Sequence, residues 1–323
     1  MALPAVLEGR LSLPVIGAPM FLVSGPELVI AQCTSGIIGS IPSLNARPPE
    51  QLDPWLKQIA QGCASHAAAH PGARIAPYAV NLIVNKANSR LEHDLDVVVA
   101  NQVPVVITSL SAPDDIVPRI HAYGGIVLHD VVSTRHARRA LKAGVDGLIL
   151  VCAGAGGHAG SLSPFALVAE VRAFYDGLVA LSGAMATGSG VLAAQAMGAD
   201  LAYIGTRFIA TTESKAGDAY KSMIVDASAA DIVYTPLFSG VPANYLKPSV
   251  AAAGLDPDNL PVPDPAASYR KRDDRPAAWK TVWGAGQGVG AVDSVQPVAE
   301  VVARLRSEYD AARRALAASG YKE

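Results

Sequence analysis

The chain has few cysteines, few aromatic residues and almost no net charge. Its three cysteines, Cys33, Cys63 and Cys152, are odd in number, and none stands in a C-x-x-C pair. This pattern argues against a disulfide framework and against a cysteine-based metal site. A formal net charge of −2 on 323 residues indicates neither nucleic acid nor an anionic membrane as a partner.

Long apolar runs and targeting signals are also missing. The first ten residues, MALPAVLEGR, do not combine a cationic start with an apolar core. No apolar stretch reaches the length needed to span a bilayer. We therefore expect a soluble, cytoplasmic enzyme with no membrane partner.

Short runs of Val, Ile and Leu alternate along the chain with segments of helical length. This alternation predicts a parallel sheet with helical connections, and eight such units close a (β/α)8 TIM barrel. An aromatic content of only 6% is typical of such close-packed α/β structures. The predicted strands are residues 14–18, 37–41, 75–81, 104–109, 125–129, 147–151, 178–183 and 201–205.

Residues 211–281 differ in texture from the rest of the chain. Prolines are dense in residues 234–249, a tract that contains Tyr234 and Tyr245, and again in residues 256–265. Prolines at this density break regular structure. A long segment between the last strand and the closing helix is usually a functional cap. We predict a barrel of residues 1–210 and 282–323, with residues 211–281 as a cap or substrate segment over its mouth.

The last two predicted strands both end in glycine-bearing turns. Residues 178–208 read as strand, glycine turn, Ala-rich helix, strand and second glycine turn. Glycines leave backbone N–H groups accessible, and several such donors suit the oxygens of a phosphate monoester. Loops after the seventh and eighth strands commonly form the phosphate site of a TIM barrel. The two turns therefore predict a phosphate site.

His158 stands among four glycines in residues 154–160, after the sixth predicted strand. Histidine is suited to proton transfer near neutral pH, and its position at the C-terminal rim of the barrel favours a functional role. The alternative is a surface histidine in a loop whose glycines only form turns. No second histidine stands at metal-ligand spacing, so we predict no metal.

Other polar residues at strand ends allow two interpretations each. Asn81 could bind a ring or a phosphate through its amide, or only cap a turn. The neighbours His129 and Asp130 could orient a proton shuttle, but a solvated strand end explains them better.

The glycine-rich segment 284–290 resembles a dinucleotide loop only superficially, because no convincing strand precedes it. We therefore reject a Rossmann site here. Backbone lying against a flat cofactor, with the Gln287 amide nearby, explains the segment better.

Together these segments resemble the nitronate monooxygenase family, once called 2-nitropropane dioxygenases. The similarity is strongest in GGHAG at 156–160 and in GADLAYIGTRF at 198–208. It extends to residues 16–20, 79–82 and 285–288. The resemblance implies an FMN-binding TIM barrel with a small cap. It also implies oxidation of nitronates by O2 to a carbonyl compound and nitrite without NAD(P)H, on small-molecule substrates. A homodimer is left open.

The resemblance assigns roles to individual residues. His158 corresponds to the catalytic base. The implied cofactor-binding residues are the phosphate turns Ser182, Gly183, Ala184, Gly205 and Thr206, the ring contacts Ala18, Pro19, Met20, Asn81, Gly286 and Gln287, and the glycines Gly156 and Gly157.

The chain also departs from the family pattern. Some relatives place lysine near the end of strand five, where this chain has Asp130. A lysine there favours anionic reduced flavin or a phosphate, and an aspartate does the opposite. The alternatives are an NAD(P)H-dependent FMN quinone or enoyl reductase, a phosphosugar isomerase or lyase, and a non-catalytic flavin-binding protein.

Overall fold

The eight predicted strands form one closed parallel barrel. The computed structural model describes residues 3–261 and 278–319. In chain order its strands are β1 (Val15–Gly17), β2 (Gly39–Pro42), β3 (Tyr78–Val84), β4 (Val105–Leu110), β5 (Ile126–Val131), β6 (Gly147–Val151), β7 (Gly157–His158), β8 (Leu178–Ser182), β9 (Leu201–Ile204), β10 (Ile232–Thr235) and β11 (Ala243–Leu246). The barrel order is β1-β9-β8-β6-β5-β4-β3-β2.

Backbone hydrogen bonds join the two end strands of this order and close the barrel. Gly17 N donates to Ile38 O at 2.8 Å, and Ile38 N donates to Val15 O at 3.0 Å. The predicted (β/α)8 fold is therefore confirmed. Its connections are helical because parallel strands need a crossover between them.

The helices that surround the barrel agree closely with the apolar periodicity of the sequence. In chain order the helices are α1 (Pro26–Thr34), α2 (Leu52–Ala69), α3 (Leu91–Ala100), α4 (Val117–His121), α5 (Thr134–Lys142), α6 (Pro164–Arg172), α7 (Gly188–Met197), α8 (Thr206–Ile209), α9 (Asp218–Asp226), α10 (Lys247–Ala252) and α11 (Val298–Ala318). The closing helix α11 packs beside α7 and α1.

Alternate residues of each strand serve two separate cores. In β3, Val80 and Leu82 join the apolar layer between barrel and helices, whereas Ala79 packs inside the barrel with Ile107 of β4 and Leu128 of β5. Successive strand side chains point to opposite faces, so both faces of a barrel strand must be apolar. Leu7, which precedes β1, also packs in the inner core.

Two similar junctions in the sequence, at residues 143–147 and 197–201, hold neighbouring strands in register. Asp146 Oδ2 accepts from Val127 N at 2.7 Å, and Asp200 Oδ2 accepts from Val179 N at 2.9 Å. The glycine before each aspartate has positive φ, +87° at Gly144 and +110° at Gly198, and ends the preceding helix in the left-handed conformation. Each aspartate thus fixes the start of the adjacent strand.

The proline-rich tract 234–249 forms more regular structure than its composition predicts, and that expectation was wrong. Strands β10 and β11 make an antiparallel pair, and β7 adds to the edge of β11. Pro236 and Pro242 lie just outside the two strands, and Pro248 lies in the first turn of α10. None of them removes a donor from the ladder, so the hairpin tolerates all three.

The division into a barrel and a cap of residues 211–281 stays a prediction. Part of that segment, residues 262–277, lies outside the described residues. In the described part, Tyr220 and Ile224 of α9 pack with Leu246 and Val289 in a third apolar cluster.

We predict that Asp200→Ala destabilises the protein by about 2–4 kcal/mol, because it removes a charged acceptor and leaves the Arg172 guanidinium without its carboxylate partner. The two side chains are only 12% and 16% exposed and lie 2.7 Å apart. Urea unfolding measures the change, with the exposed Asp176→Ala as control. A loss below ~0.5 kcal/mol, typical of surface substitutions, would contradict this role.

Candidate active site

The inner face of the barrel changes from apolar to polar at its C-terminal end. The inward positions at or near this end are Asn81 of β3, Ser109 of β4, Asp130 of β5, Ser182 of β8 and Tyr203 of β9. Each stands two residues beyond an inward apolar side chain, such as Ala79 before Asn81. Polar side chains on this rim, above an apolar core, mark the end at which TIM barrels place their sites.

A small cavity opens at the ends of β6, β8 and β9. We call it the cradle. It is lined by Gly154, Ala155, Gly156, Ser182, Gly183, Ala184, Met185, Tyr203, Gly205, Thr206, Gly286 and Gly288.

The cradle brings together seven of the predicted cofactor-binding residues from three distant segments. These residues are Gly156, Ser182, Gly183, Ala184, Gly205, Thr206 and Gly286. Gly154, Ala155, Met185, Tyr203 and Gly288 line it as well but were not predicted.

Backbone-to-backbone packing of three glycine segments builds the cradle. The carbonyl oxygen of Gly154 accepts from Ala184 N at 3.2 Å and from Gln287 N at 2.9 Å. Gly286 N donates to Thr206 Oγ1 at 2.8 Å. A Cβ atom on Gly286 would lie 2.6 Å from Gly154 O and 2.8 Å from Gly156 N, so only glycine fits there.

The cradle is lined by backbone dipoles and uncharged side chains, and no charged side chain is among its lining residues. Gly183 and Ala184 have φ of +138° and +53°, which turns the chain sharply after β8. Thr206 begins α8, where the first N–H groups of a helix have no partner within it. Thr206 Oγ1 already accepts from Gly286 N and still has its own proton to donate. Such donors suit an anionic group of a ligand.

Ala18 and Met20 form the wall next to Gly205. A Cβ atom on Gly205 would lie at ordinary contact distance from both, 3.5 Å from Ala18 Cβ and 3.7 Å from Met20 Sδ. Ala18 N donates to Ile204 O at 2.8 Å, which holds the β1 loop against the end of β9. Pro19 lies between the two wall residues in sequence.

Asn81 lies across the barrel mouth from the cradle. The sequence predicted that Asn81 ends a strand, and this was wrong. β3 continues to Val84 because it pairs with β4 over its full length. Asn81 Nδ2 donates to Ser109 Oγ at 2.8 Å and to Ile107 O at 3.3 Å. A carbonyl oxygen only accepts, so this contact fixes the orientation of the amide.

His158 lies in strand β7 rather than in an open glycine loop, which corrects the local structure expected for it. β7 pairs with β11, with His158 opposite Ala243. The ring is exposed at the surface of a concave wall and contacts the edge of Trp279 at 5.5 Å between centroids. Surrounding protein partly desolvates the ring and lowers the pKa of His158, so the imidazole is neutral at pH 7. Gly157, beside it, faces the Trp279 ring.

The hydrogen bonds of Ser239 define the tautomer of His158. His158 Nε2 lies 3.0 Å from Ser239 Oγ, and Ser239 Oγ donates its single proton to Val241 O at 2.9 Å. With that proton on Val241 O, Ser239 accepts from the imidazole, and this arrangement assigns the ring proton to Nε2. Nδ1 is left as the basic nitrogen.

His129 and Asp130 do not form a pair. His129 points towards Thr108, whose Oγ1 lies 2.7 Å from His129 Nδ1, and burial lowers the pKa of His129 to about 4. Asp130 occupies the next position of the strand and points to the inner face. The proton shuttle left open by the sequence is thus absent between these two residues, although His129 is buried rather than solvated.

Several site residues escaped prediction from the sequence. Side chains along a strand alternate between the inner and outer faces of the barrel. Only this alternation, followed to the ends of β4 and β9, would have identified Ser109 and Tyr203 as inward-facing. Ser239 and Trp279 reach His158 from more than 80 residues away in sequence, and no local pattern marks them.

The described residues contain no group of three His, Cys, Asp or Glu side chains arranged to hold a metal ion. Within residues 3–261 and 278–319, no helix is both long and apolar enough to cross a membrane.

Comparisons with known proteins agree with this architecture. A model of the nitronate monooxygenase family matches residues 9–308. A nitronate monooxygenase of Paraburkholderia phytofirmans is 27% identical over 91% of this chain and 92% of its own length. FabK of Thermotoga maritima is 25% identical, with a TM-score of 0.78 over 97% of each chain. A nitroalkane oxidase of Streptomyces ansochromogenes, 24% identical, shares the fold with a TM-score of 0.79, over 97% of this chain and 100% of its own.

The fold and the polar rim define a TIM-barrel enzyme with a dipole-lined cradle at the C-terminal end of its strands. The chain belongs to the nitronate monooxygenase family, which confirms the resemblance found in the sequence, and it is an oxidoreductase.

We predict that Gly286→Ala lowers the free energy of unfolding by about 1–3 kcal/mol, because the added methyl group meets backbone atoms that cannot move aside. Gly217→Ala is the matched control, since nothing lies within 4 Å of its Cβ position and its φ is −68°. Thermal or urea unfolding measures both. Equal effects of the two substitutions would contradict the close packing of the cradle.

Proposed function

We propose that this protein is an FMN-dependent nitronate monooxygenase that oxidises alkyl nitronates with O2 to a carbonyl compound and nitrite. The cradle carries this proposal. It combines backbone donors with the Ser182 and Thr206 hydroxyls and excludes side chains at Gly286 by contact with backbone. A phosphate monoester is the ligand end that fits such a site.

The remaining predicted contacts suit the rest of FMN. Ala18 and Met20 offer an apolar wall beside Gly205, and Asn81 offers an amide across the mouth. A flat ring with one polar edge matches a surface that is apolar on one side and polar on the other. Bound FMN would supply the electron transfer and the reaction with O2, which the side chains cannot perform.

His158 is the proposed base. Its Nδ1, which has no hydrogen-bond partner among the described residues, would take the proton from the carbon beside a nitro group, while Nε2–H remains bonded to Ser239. The neutral ring is available as a base at pH 7, because desolvation lowers the pKa of His158. Once protonated, the same ring would attract the negative charge of the nitronate.

The alternative is a reductase that takes electrons from NAD(P)H, since an FMN-binding barrel can accept electrons from a nitronate or from NAD(P)H. Purified protein is first reconstituted with FMN and separated from free flavin. Alkyl nitronate and NADH or NADPH are then added separately without O2, and flavin absorbance is followed. We expect bleaching by the nitronate, and nitrite release once O2 is admitted. Bleaching by NADH or NADPH alone would favour the reductase, and failure to bind FMN would refute both.

We predict that His158→Asn lowers turnover of a neutral nitroalkane by about 10²–10⁴-fold, the usual contribution of a general base. Turnover of the preformed nitronate should fall far less, because its proton has already left. FMN binding should persist, and His136→Asn, an exposed histidine on α5, is the control. Unchanged nitroalkane turnover would remove His158 from the mechanism.

We predict that Ser239→Ala moves the pH midpoint of nitroalkane turnover to a lower pH. Turnover requires neutral His158, so it rises with pH through the pKa of this group. Ser239 accepts from Nε2–H and stabilises the imidazolium, and its loss lowers that pKa further. Full pH profiles of kcat/KM for both proteins test this, with the exposed Ser222→Ala as a surface control. An upward shift would contradict the assigned tautomer.

A further inference from the structure

A chain of hydrogen bonds crosses the ends of three adjacent strands on the side of the mouth opposite the cradle. Asn81 Nδ2 donates to Ser109 Oγ at 2.8 Å, and Ser109 Oγ donates to Asp130 Oδ2 at 2.6 Å. The direction of the chain is fixed, because the amide nitrogen can only donate and the serine has a single proton. Asp130 Oδ2 is therefore an acceptor.

The other carboxyl oxygen of Asp130 has no partner. Asp130 Oδ1 is buried and has no hydrogen bond within the described part of the chain. An unpaired carboxylate oxygen in such a place is costly, so it needs either a proton or a donor. Among the described residues, burial and the hydrogen bond from Ser109 are the two influences on the pKa of Asp130.

The position of Asp130 suits contact with a ligand anchored in the cradle. The cradle lies at β8 and β9, whereas the chain from Asn81 to Asp130 lies at β3, β4 and β5. Tyr203 connects the two regions, since it lines the cradle and lies close enough to Asp130 for an ionised carboxylate there to raise the pKa of Tyr203. A ligand whose anionic end occupies the cradle and whose ring covers the mouth would lie over the chain from Asn81 to Asp130.

We propose that Asp130 binds the flavin ring as a neutral carboxylic acid, donating from Oδ1 to an acceptor atom of the ring. This inference rests on the proposed FMN-dependent function. The proton on Oδ1 removes the cost of the buried charge in the free protein. On binding it makes a hydrogen bond that an ionised carboxylate cannot donate.

The charges around Asp130 agree with this protonation state. Burial raises the pKa of Asp130 to about 7, against a smaller lowering by the Ser109 hydrogen bond. Tyr203 faces the same interior, and burial keeps it un-ionised at neutral pH by raising its pKa well above the usual value. His129 points to the opposite face of β5 and is neutral. Flavin binding to the neutral acid must raise the pKa of Asp130 further, so affinity falls as pH rises above about 7.

The test is the dissociation constant of FMN between about pH 6.5 and 8.5, above the second phosphate pKa of roughly 6. Fluorescence quenching measures it for the wild type, Asp130→Asn and Asp130→Ala. We expect wild-type affinity to fall about tenfold or more across this range. Asp130→Asn, which keeps a donor without ionising, should bind like the low-pH wild type at every pH. Asp130→Ala should bind more weakly at pH 6.5 and lose the pH dependence.

Infrared difference spectra provide a second readout that does not depend on activity. FMN binding to the wild type should perturb the C=O band of a protonated carboxyl, and Asp130→Asn should lack this band. Ser109→Ala should shift the band without abolishing it.

The outcomes separate this inference from the proposed function. A wild type that binds FMN with the same pH profile as Asp130→Asn, or more tightly at higher pH, overturns the role of Asp130 alone. A wild type that binds no FMN at any pH overturns both.

Discussion

One carbonyl oxygen, that of Gly154, holds together the loops on which the candidate site depends. It accepts hydrogen bonds from Ala184 after β8 and from Gln287 in the C-terminal segment, residues 30 and 133 positions further along the chain. Close approach of three backbones is possible only where side chains are missing. The glycines at 154, 156 and 286 are thus required first by packing, and the accessible N–H groups that suit an anion follow from that packing.

The barrel below the cradle has an apolar interior and a polar C-terminal end. Its interior is apolar up to the C-terminal ends of β3, β4, β5, β8 and β9, where amide, hydroxyl and carboxyl groups begin. The small antiparallel sheet above one edge brings His158 to the mouth on β7, with Ser239 and Trp279 supplied from the segment after the last barrel strand. The cradle, the polar ends of the barrel strands and the proposed base His158 are therefore held by three different packing systems, so each can be altered separately.

The sequence predicted what depends on local pattern. Alternation of apolar runs located all eight barrel strands, and glycine-bearing strand ends located most of the cradle. It failed where contacts join distant segments. The β7–β11 pairing and the Ser239–His158 contact, 81 positions apart, leave no periodic signal. Proline density suggested irregular structure at 234–249, because composition does not show that each proline falls outside a strand. Asp130 was visible as an unusual residue, but its unpaired oxygen required three-dimensional information.

The most direct test is a crystal structure of the protein grown with FMN. The phosphate should lie between the turn at Gly183 and Ala184 and the start of α8 at Thr206, within hydrogen-bonding distance of the Gly183 and Thr206 N–H groups. The Gly154 carbonyl should keep both of its hydrogen bonds. A phosphate bound elsewhere, or a cradle filled by rearranged loops while flavin sits outside it, would contradict the assignment of this site.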